Sequence, residues 1–464
     1  MPFLPFDEPS QPDAKIEWWF FHGRFSGGQV EERTFMASLF RNLLPEPNRK
    51  SVNAFSALIS VLDPATGRQS ASSRVDRSLV EALGRPSADD GVDTFSPRVV
   101  TDELRQYGLP REFECPEAAP SLSGGPLAFH WADLRLTSAP CGVQLAFDEP
   151  LTHRSLLFEL TPAAPRLVID AARTVGEPEE AMLYATWPAM RLRGTAGDLE
   201  IAGEGWFDHQ WGGQAWFRSK DSPPRARGWD WLGFRLDDGS QGVLMTHWDA
   251  ESGEETARHL TLRDCLGKVH VCHSFEWTPL RWWMSLCTRI KHPVEWRLQV
   301  PEWDTELAFV PLADNQEIRV FGPLRAIWEG AGRVRGRLRG RPVEGSSRLE
   351  SQGRGYLSNM GAYLRGWAGL VDRELVRFLP KAIEEGSCHK SGVWGNCAQP
   401  EAPSARLGEA QSCRERSVCY WFWPQPRRHW LKHRRSIRGS GRALRQARRR
   451  ECSTSAVRTC RTWR

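Results

Sequence analysis

Residues 205–239 read GWFDHQWGGQAWFRSKDSPPRARGWDWLGFRLDDG, and the interpretation of the rest of the chain depends on this stretch. It holds five Trp and one His between bounding glycines, and a polar insert with two Pro interrupts it. Aromatic rings and acids concentrated in this way indicate a site. A structural corner, in which Trp and His satisfy each other within a core, would have the same composition, so both interpretations stay open.

Strand-like segments lie on both sides of this stretch. They are runs of β-branched and aromatic residues closed by Gly or Pro, and none has a long helical period. Examples are IEWWFFHGRF at 16–25, LAFHWADLRL at 127–136, QGVLMTHWDA at 241–250 and VEWRLQVPEW at 294–303. Because the long helices needed for parallel crossovers are missing, the pattern predicts antiparallel barrels or sandwiches. The polar segment 68–102 is predicted to be a loop with one short helix near residues 77–83.

An internal match favours two similar β units. Trp18, Arg24 and Gly28 recur with the same spacing as Trp229, Arg235 and Gly239. The predicted fold is therefore all-β, with two consecutive antiparallel β domains, a short C-terminal helix and a disordered basic tail. The predicted divisions are an N-terminal extension at 1–15, β domains at 16–212 and 213–365, a helix at 366–386 and the tail at 387–464.

Composition narrows the function classes. The chain has 464 residues, 40% of them hydrophobic, and its 22 Trp against 5 Tyr suit a pocket for an apolar small molecule. The formal charge of +5 comes from the tail, since residues 381–464 hold 19 Lys or Arg and 6 Glu while the remainder is net acidic. We therefore expect no nucleic-acid binding by the folded body. A basic nucleic-acid-binding protein is an alternative that rests on the tail alone, and out-of-frame translation of Arg-rich codons would also explain that tail.

Targeting and metal signals are missing from the sequence. No apolar run reaches the roughly 20 residues of a membrane span and no signal peptide is recognised, so we expect a cytoplasmic location. The 11 Cys are irregularly spaced, which predicts free thiols. The spacings H-x-H and H-E-x-x-H are missing, so no metal site is expected, and without G-x-S-x-G a serine hydrolase is disfavoured. The sequence does not indicate an oligomeric state.

Four motifs in order resemble the AttH-like, or hydroxyneurosporene synthase (carotenoid 1,2-hydratase), family. They are EWW at 17–19, GWFDHQWG at 205–212, GWDW with LDDG at 228–239, and WEG at 328–330 with GRGYL at 353–357. The resemblance implies two lipocalin-like β-barrels with a ligand cavity near their junction. Members include hydratases of acyclic carotenoids, cyclases that promote Diels-Alder reactions and proteins described only as predicted hydrolases. The LDDG form is typical of the AttH-like branch.

In the carotenoid hydratases of this family, the His and Trp of the D-H-x-W motif and a downstream Asp are implicated. The matching residues here are His209, Trp211 and Asp230. If residues 229–236 are extended, Asp230 shares a face with apolar side chains, and such burial raises a carboxyl pKa. Asp230 is thus the predicted acid that protonates a C=C bond. His209 is predicted to position water, with its tautomer held by Asp208 or another acceptor.

Aromatic residues and one further acid complete the predicted site. Substrate-binding side chains are expected to be Trp211, Trp229, Trp231, Glu17, Trp18 and Trp19. Structural alternatives stay open for the polar residues. Asp230 would then be a sheet carboxylate bonded to a Trp N–H or to Arg235, His209 a buried strand His, and Glu17 a partner of an Arg or an indole. His22 and His247 are interpreted as ordinary strand residues.

The leading hypothesis is a cofactor-independent hydratase-like enzyme, a hydro-lyase if it is catalytic. Its substrate would be a hydrophobic isoprenoid or polyketide-like molecule, hydrated by acid-initiated attack on a C=C bond as in carotenoid 1,2-hydratases. The alternatives are a lipocalin-like protein that binds a hydrophobic ligand without catalysis, or a cyclase, Diels-Alderase or hydrolase of the same family. The sequence leaves the ligand unidentified.

Overall fold

The computed structural model describes residues 9–44, 51–84, 92–94, 98–123, 125–169, 182–212, 217–219, 227–249, 252–321 and 325–353. All of them belong to one compact unit. The helix predicted at 366–386 and the tail predicted at 387–464 lie outside the described residues, as does most of the GRGYL motif.

The first sheet is antiparallel and contains twelve strands. Hydrogen bonds link them in the order β4-β3-β2-β1-β13-β12-β10-β9-β8-β7-β6, and β11 pairs with β12. Their bounds are β1 Ile16–Gly27, β2 Val30–Leu44, β3 Val52–Asp63, β4 Arg68–Val75, β6 Ser121–Leu122, β7 Ala128–Trp131, β8 Leu134–Ala139, β9 Gly142–Asp148, β10 Ser155–Pro162, β11 Leu167–Val168, β12 Met182–Ala196 and β13 Leu199–Gly212.

The second sheet is also antiparallel and contains ten strands. Their order is β18-β17-β16-β15-β24-β23-β21-β20-β19, and β22 pairs with β23. Their bounds are β15 Arg227–Leu236, β16 Gln241–Asp249, β17 Glu255–Arg263, β18 Val269–Cys272, β19 Glu276–Met284, β20 Lys291–Val300, β21 Thr305–Pro311, β22 Glu317–Arg319, β23 Ala326–Leu338 and β24 Arg341–Gln352. Each sheet curls around its own apolar core, which confirms the predicted pair of lipocalin-like β domains.

Helices are few in the described part of the chain. They are α1 Arg77–Gly84, α2 Arg98–Tyr107 and a 3₁₀ turn at Pro301–Trp303, and two short strands, β5 Val92–Thr94 and β14 Phe217–Ser219, form a separate pair. The predicted short helix is present as α1, but the loop predicted at 68–102 was wrong in part. Its polar start, RQSASSRV, extends the sheet as β4, because its buried polar side chains find partners there: Ser72 and Arg74 donate to Glu114 at 2.7 and 3.0 Å. Within the described residues no helix is long and apolar enough to cross a membrane.

The internal match corresponds to equivalent strands of the two sheets. Trp18 and Arg24 lie on β1, and Trp229 and Arg235 lie on β15. Each of these strands pairs with the strand that follows it and with the last strand of its sheet, β13 or β24. The glycine of each set closes the next turn at positive φ, 55° at Gly28 and 89° at Gly239. The spacing therefore marked the first long strand of each unit.

Side-chain alternation divides the aromatic stretch among three layers. One face of β1 and β13 packs inside the first sheet, with Trp19 and Phe207. One face of β15 packs inside the second sheet, with Leu232 and Phe234. The remaining faces meet between the sheets in a third cluster, which we call the seam. Its buried members are Phe20, Met36, Leu58, Leu167, Ile169, Tyr184, Trp206, Trp231, Val243, Ile318 and Ile327.

Candidate active site

Asp208 lies at the seam and is almost completely buried, with 1% of its surface exposed. The Tyr184 hydroxyl donates to its Oδ2 at 2.7 Å, and the Trp206 indole donates to its Oδ1 at 2.6 Å. Trp231, from the second sheet, donates its indole N–H to the Tyr184 oxygen at 3.0 Å. Asp208 is thus joined through Tyr184 to the opposite sheet.

Burial raises the pKa of the Asp208 carboxyl from 3.8 to about 7. The hydrogen bonds that the carboxyl accepts oppose part of this shift, and nearby charge on Glu350 adds to it. Burial also raises the pKa of the Tyr184 hydroxyl well above 10, so Tyr184 remains a donor. At neutral pH a substantial fraction of Asp208 therefore carries a proton.

A second group of ionisable residues lies at the seam on β23 and β24. Glu329 and Arg348 are each 2% exposed, while Glu350 keeps some surface exposure although its carboxyl group lies deep among protein atoms. The Arg348 guanidinium donates to the backbone oxygen of Glu329 at 3.0 Å and to that of Phe35, in the first sheet, at 3.2 Å. Trp229 donates its indole N–H to Glu350 Oε1 at 2.5 Å.

The pKa values of the two carboxyls in this group are shifted in the same direction as that of Asp208. Burial raises the pKa of Glu350 to about 7. Burial also raises the pKa of Glu329 well above its usual value, and the nearby charge of Glu350 adds to that shift. Burial lowers the pKa of Arg348 to about 10, which leaves it a cation at neutral pH. Three carboxyl groups and one guanidinium thus lie together in a low-dielectric layer. The carboxyls of Asp208 and Glu350 titrate near neutrality, which is the property required of a general acid.

His209, predicted to position water, lies on the opposite face of β13 from Asp208. It is fully buried inside the first sheet, stacked on Trp19 with ring centroids 5.6 Å apart and 4.4 Å from the ring of Trp211. Its Nε2 is 2.9 Å from Glu17 Oε1. Glu17 is thus an acceptor beside the His209 ring. Asp208, the acceptor named in the prediction, lies on the other face of β13, because neighbouring residues of a strand point to opposite faces.

Glu17, predicted to bind substrate, is occupied by protein donors. It is fully buried, and besides His209 it accepts hydrogen bonds from Ser10 Oγ at 2.9 Å, Gln11 N at 2.8 Å and Arg41 Nε at 3.0 Å. Arg41 is itself 1% exposed. This arrangement matches the alternative in which Glu17 is the partner of a buried Arg.

Asp230, the predicted acid, lies on the face of β15 that alternates into the core of the second sheet. It shares that face with Leu232, as alternation predicted. It is fully buried and accepts a hydrogen bond from Ser351 Oγ at 2.7 Å, with Thr246 Oγ1 at 3.5 Å. Asp208, His209 and Asp230 therefore occupy three different layers and do not form one constellation.

The predicted tryptophans divide in the same way. Trp18, Trp229 and Trp231 pack at the seam, whereas Trp19 and Trp211 pack inside the first sheet. Trp231 lies edge-on to Trp206, with ring centroids 5.8 Å apart. Indoles from both sheets thus surround the seam carboxyls, and their ring faces are suited to stabilise a cation.

Sequence reasoning missed Glu329, Arg348, Glu350 and Tyr184. The three charged residues alternate with apolar neighbours on β23 and β24, a pattern that also describes a solvent-facing strand. WEG was noticed as a motif, but its Glu was not assigned a role. Among the described residues, no group of three His, Cys, Asp or Glu is arranged to hold a metal ion.

Comparisons with known proteins agree with this architecture. The family model described as AttH-like matches residues 129–362. The fold is similar to the crystal structure of an AttH protein from Nitrosomonas europaea, with 20% identity, a TM-score of 0.55 and coverage of 76% of this chain and 98% of that chain. It is also similar to kievitone hydratase from Nectria haematococca, with 15% identity, a TM-score of 0.52 and coverage of 74% and 91%. No curated protein sequence matches this chain.

Proposed function

Because this chain belongs to the AttH-like family, we propose that it is a hydratase-like enzyme whose acid chemistry takes place at the seam between the sheets. The observation that carries this proposal is the buried carboxyl cluster of Asp208, Glu329 and Glu350. The fold similarity to kievitone hydratase supports the reaction class, since that protein is a hydratase by its name. The fold by itself would leave the chemistry open.

Asp208 is the proposed proton donor. Its carboxyl pKa of about 7 keeps a proton available at neutral pH, and the hydrogen bonds from Tyr184 and Trp206 hold the group in place. Transfer of that proton to one carbon of a C=C bond leaves a carbocation on the other carbon. Water then attacks the cation, and its released proton passes to Glu350, so that one H and one OH have been added in total.

The proposed substrate is a hydrophobic isoprenoid or polyketide-like molecule with an isolated C=C bond. Trp229 and Trp231 supply ring faces for the developing cation, each worth about 0.5–2 kcal/mol where water is excluded. Acid-initiated hydration of this kind requires no cofactor. The specificity for carotenoids and the cytoplasmic location stay proposals. The roles predicted for Asp230 and His209 also stay proposals, and the variants below separate them from the roles given to Asp208 and Glu350.

The test is incubation of the purified protein with lycopene, an acyclic isoprenoid hydrocarbon, in detergent micelles and ¹⁸O-labelled water. Mass spectrometry is expected to find product heavier by one labelled water. Bound but unchanged lycopene would favour the alternative of a binding protein without catalysis, and rearranged product without label would favour a cyclase.

Four conservative variants locate the acid. Asp208→Asn and Glu350→Gln are expected to lower turnover by about 10²- to 10⁴-fold, the usual contribution of a general acid or base. Asp230→Asn and His209→Gln, which alter the two sheet interiors, are expected to reduce activity only as far as they reduce the folded fraction, measured by circular dichroism. Full turnover in Asp208→Asn together with its loss in a folded Asp230→Asn would return the acid role to Asp230.

A further inference from the structure

The exposed face of β19, at the edge of the second sheet, is apolar. Trp277 and Trp283 of this strand pack against the core of that sheet. Four other apolar side chains of the strand and of the turn after it are exposed to water. They are Leu280 at 47%, Trp282 at 40%, Met284 at 54% and Leu286 at 76%. Isolated exposed apolar residues are ordinary, but a group so close together marks an interaction surface. We call these four residues the β19 patch.

The free charge beside the β19 patch is positive. Residues 278–293 include two Arg and one Lys and no Asp or Glu. The Arg281 guanidinium is held by two neighbouring carboxylates. Arg289 and Lys291, by contrast, are exposed, and neither has an ion-pair partner among the described residues. The Lys291 ammonium lies 5.5 Å from the centroid of the Trp282 ring, so positive charge directly borders the apolar surface.

The acids that approach this hairpin are bonded within the protein. Glu295 accepts from Arg281 Nε at 2.9 Å, and Asp314 accepts from both terminal nitrogens of the same guanidinium. The Glu317 side chain is 5% exposed and accepts from the Ser285 hydroxyl at 2.7 Å. The two exposed cations at the end of the hairpin are therefore available to an anionic partner.

The free edge of β19 is poorly suited to pair with a strand of a second copy. Pro279 lies in this strand, and its register with β20 shifts on both sides of Arg281. Proline and bulges interrupt the regular row of backbone groups that strand addition needs. An interaction at this edge is therefore made by side chains.

A lipid surface matches what these side chains offer. Trp is favoured at the boundary between headgroups and acyl chains, aliphatic side chains transfer favourably into the acyl region, and Lys and Arg are attracted to anionic headgroups. We propose that the β19 patch docks on an anionic lipid bilayer. Met284 and Leu286 enter the acyl boundary, Trp282 lies among the headgroups, and Arg289 and Lys291 contact the headgroup charges.

This contact is peripheral and reversible, because the side chains of one hairpin bury far less apolar surface than a membrane-spanning segment. It uses no residue of the seam, so it is independent of the proposed hydration chemistry and is tested without a substrate.

The first test is flotation of the full chain with lipid vesicles. Vesicles of phosphatidylcholine are compared with vesicles in which about 30% of the lipid is phosphatidylserine, since each cation near such a surface strengthens binding about fivefold. We expect the anionic vesicles to bind at least about 10-fold more tightly. Equal binding to both compositions, or no binding to either, would overturn the proposal.

Met284→Ser combined with Leu286→Ser separates the β19 patch from basic residues elsewhere in the chain. The double variant leaves the net charge unchanged, so a purely electrostatic attraction predicts no effect. We expect it to weaken vesicle binding about 10-fold or more, because two aliphatic side chains no longer leave water. The matched control is Leu266→Ser, since Leu266 is 91% exposed on a different turn, and unchanged binding is expected there.

The charges are tested by Arg289→Gln combined with Lys291→Gln, which should remove most of the preference for anionic vesicles. All four substituted side chains are exposed, and circular dichroism checks that the variants stay folded. Unchanged binding in both double variants would assign the vesicle contact to other basic residues and overturn the proposal. A dimer in sedimentation analysis that Met284→Ser with Leu286→Ser dissociates would also overturn it, since the patch would then be covered by a second copy.

Discussion

Replacing Glu17 with Leu is expected to destabilise the first sheet strongly. The Glu17 carboxylate accepts from Arg41, His209, Ser10 Oγ and the backbone N–H of Gln11, all within 3.0 Å. Arg41 is 1% exposed, so loss of its carboxylate partner leaves an uncompensated charge inside the protein. Breaking a buried ion pair in this way costs about 3–5 kcal/mol.

The double variant determines how much of this cost belongs to the pair. Arg41→Met should cost a similar amount to Glu17→Leu, because it leaves a buried carboxylate without its cation. Glu17→Leu combined with Arg41→Met leaves no lone charge. The double variant should therefore lose less free energy of unfolding than the two single variants lose in sum, by about 2 kcal/mol or more. The control is Arg24→Gln, which breaks a half-exposed pair with Glu204 and should cost about 0–1 kcal/mol.

The assay is urea unfolding at 25 °C followed by both Trp fluorescence and circular dichroism, and coincidence of the two transitions tests two-state behaviour. The structure predicts that substrate affinity per folded molecule is unchanged in Glu17→Leu. A loss below about 1 kcal/mol, accompanied by lost ligand binding, would refute this reasoning and restore Glu17 as a substrate-binding residue.

Two further predictions concern the seam. The pKa of Asp208 is near 3.8 in the unfolded state and about 7 in the folded state, so the folded state holds the proton more tightly. The free energy of unfolding should therefore fall as pH rises from about 4 to 7, by about 3–5 kcal/mol for this group alone. Urea unfolding across this range should show a shallower fall in Asp208→Asn, and an unchanged profile would contradict the raised pKa. Gly233→Ala should lower the free energy of unfolding by about 1–3 kcal/mol in the same assay, because the added Cβ would lie 2.4 Å from the Trp231 ring. An unchanged free energy of unfolding would contradict the close packing of that ring.

The fold was predictable from the sequence because its signals are local. Aromatic and β-branched runs between turn residues specify strands, and the repeat of Trp18 and Arg24 at Trp229 and Arg235 marks corresponding strands in two units. The polar edge strand β4 was missed, since RQSASSRV has no apolar alternation strong enough to distinguish it from a loop.

The candidate site was predictable only in part. Alternation correctly grouped His209 with Trp211 and Asp230 with Leu232, because those relations exist within single strands. It also determines that Asp208 points away from His209. Alternation gives no information about which layer each face enters, since that depends on the packing of one sheet against the other.

The seam residues of β23 and β24 illustrate the same limit. Glu329, Arg348 and Glu350 have the pattern of a water-facing strand surface, and only the second sheet's position against Phe35 and Trp206 turns that surface into a buried one. Their shifted pKa values follow from this burial. Long-range packing of this kind leaves no signal in the spacing of a single strand.

The most direct test of the account is the titration of the seam carboxyls by infrared difference spectroscopy, which reads protonated carboxyl groups without a substrate. We expect a protonated carboxyl band at pH 6, part of which disappears with a midpoint near pH 7, and this part should lose separate components in Asp208→Asn and Glu350→Gln. A spectrum in which all carboxyl groups are ionised by pH 6, or a band near pH 7 that both variants leave intact, would contradict the assignment of the seam as the acid site.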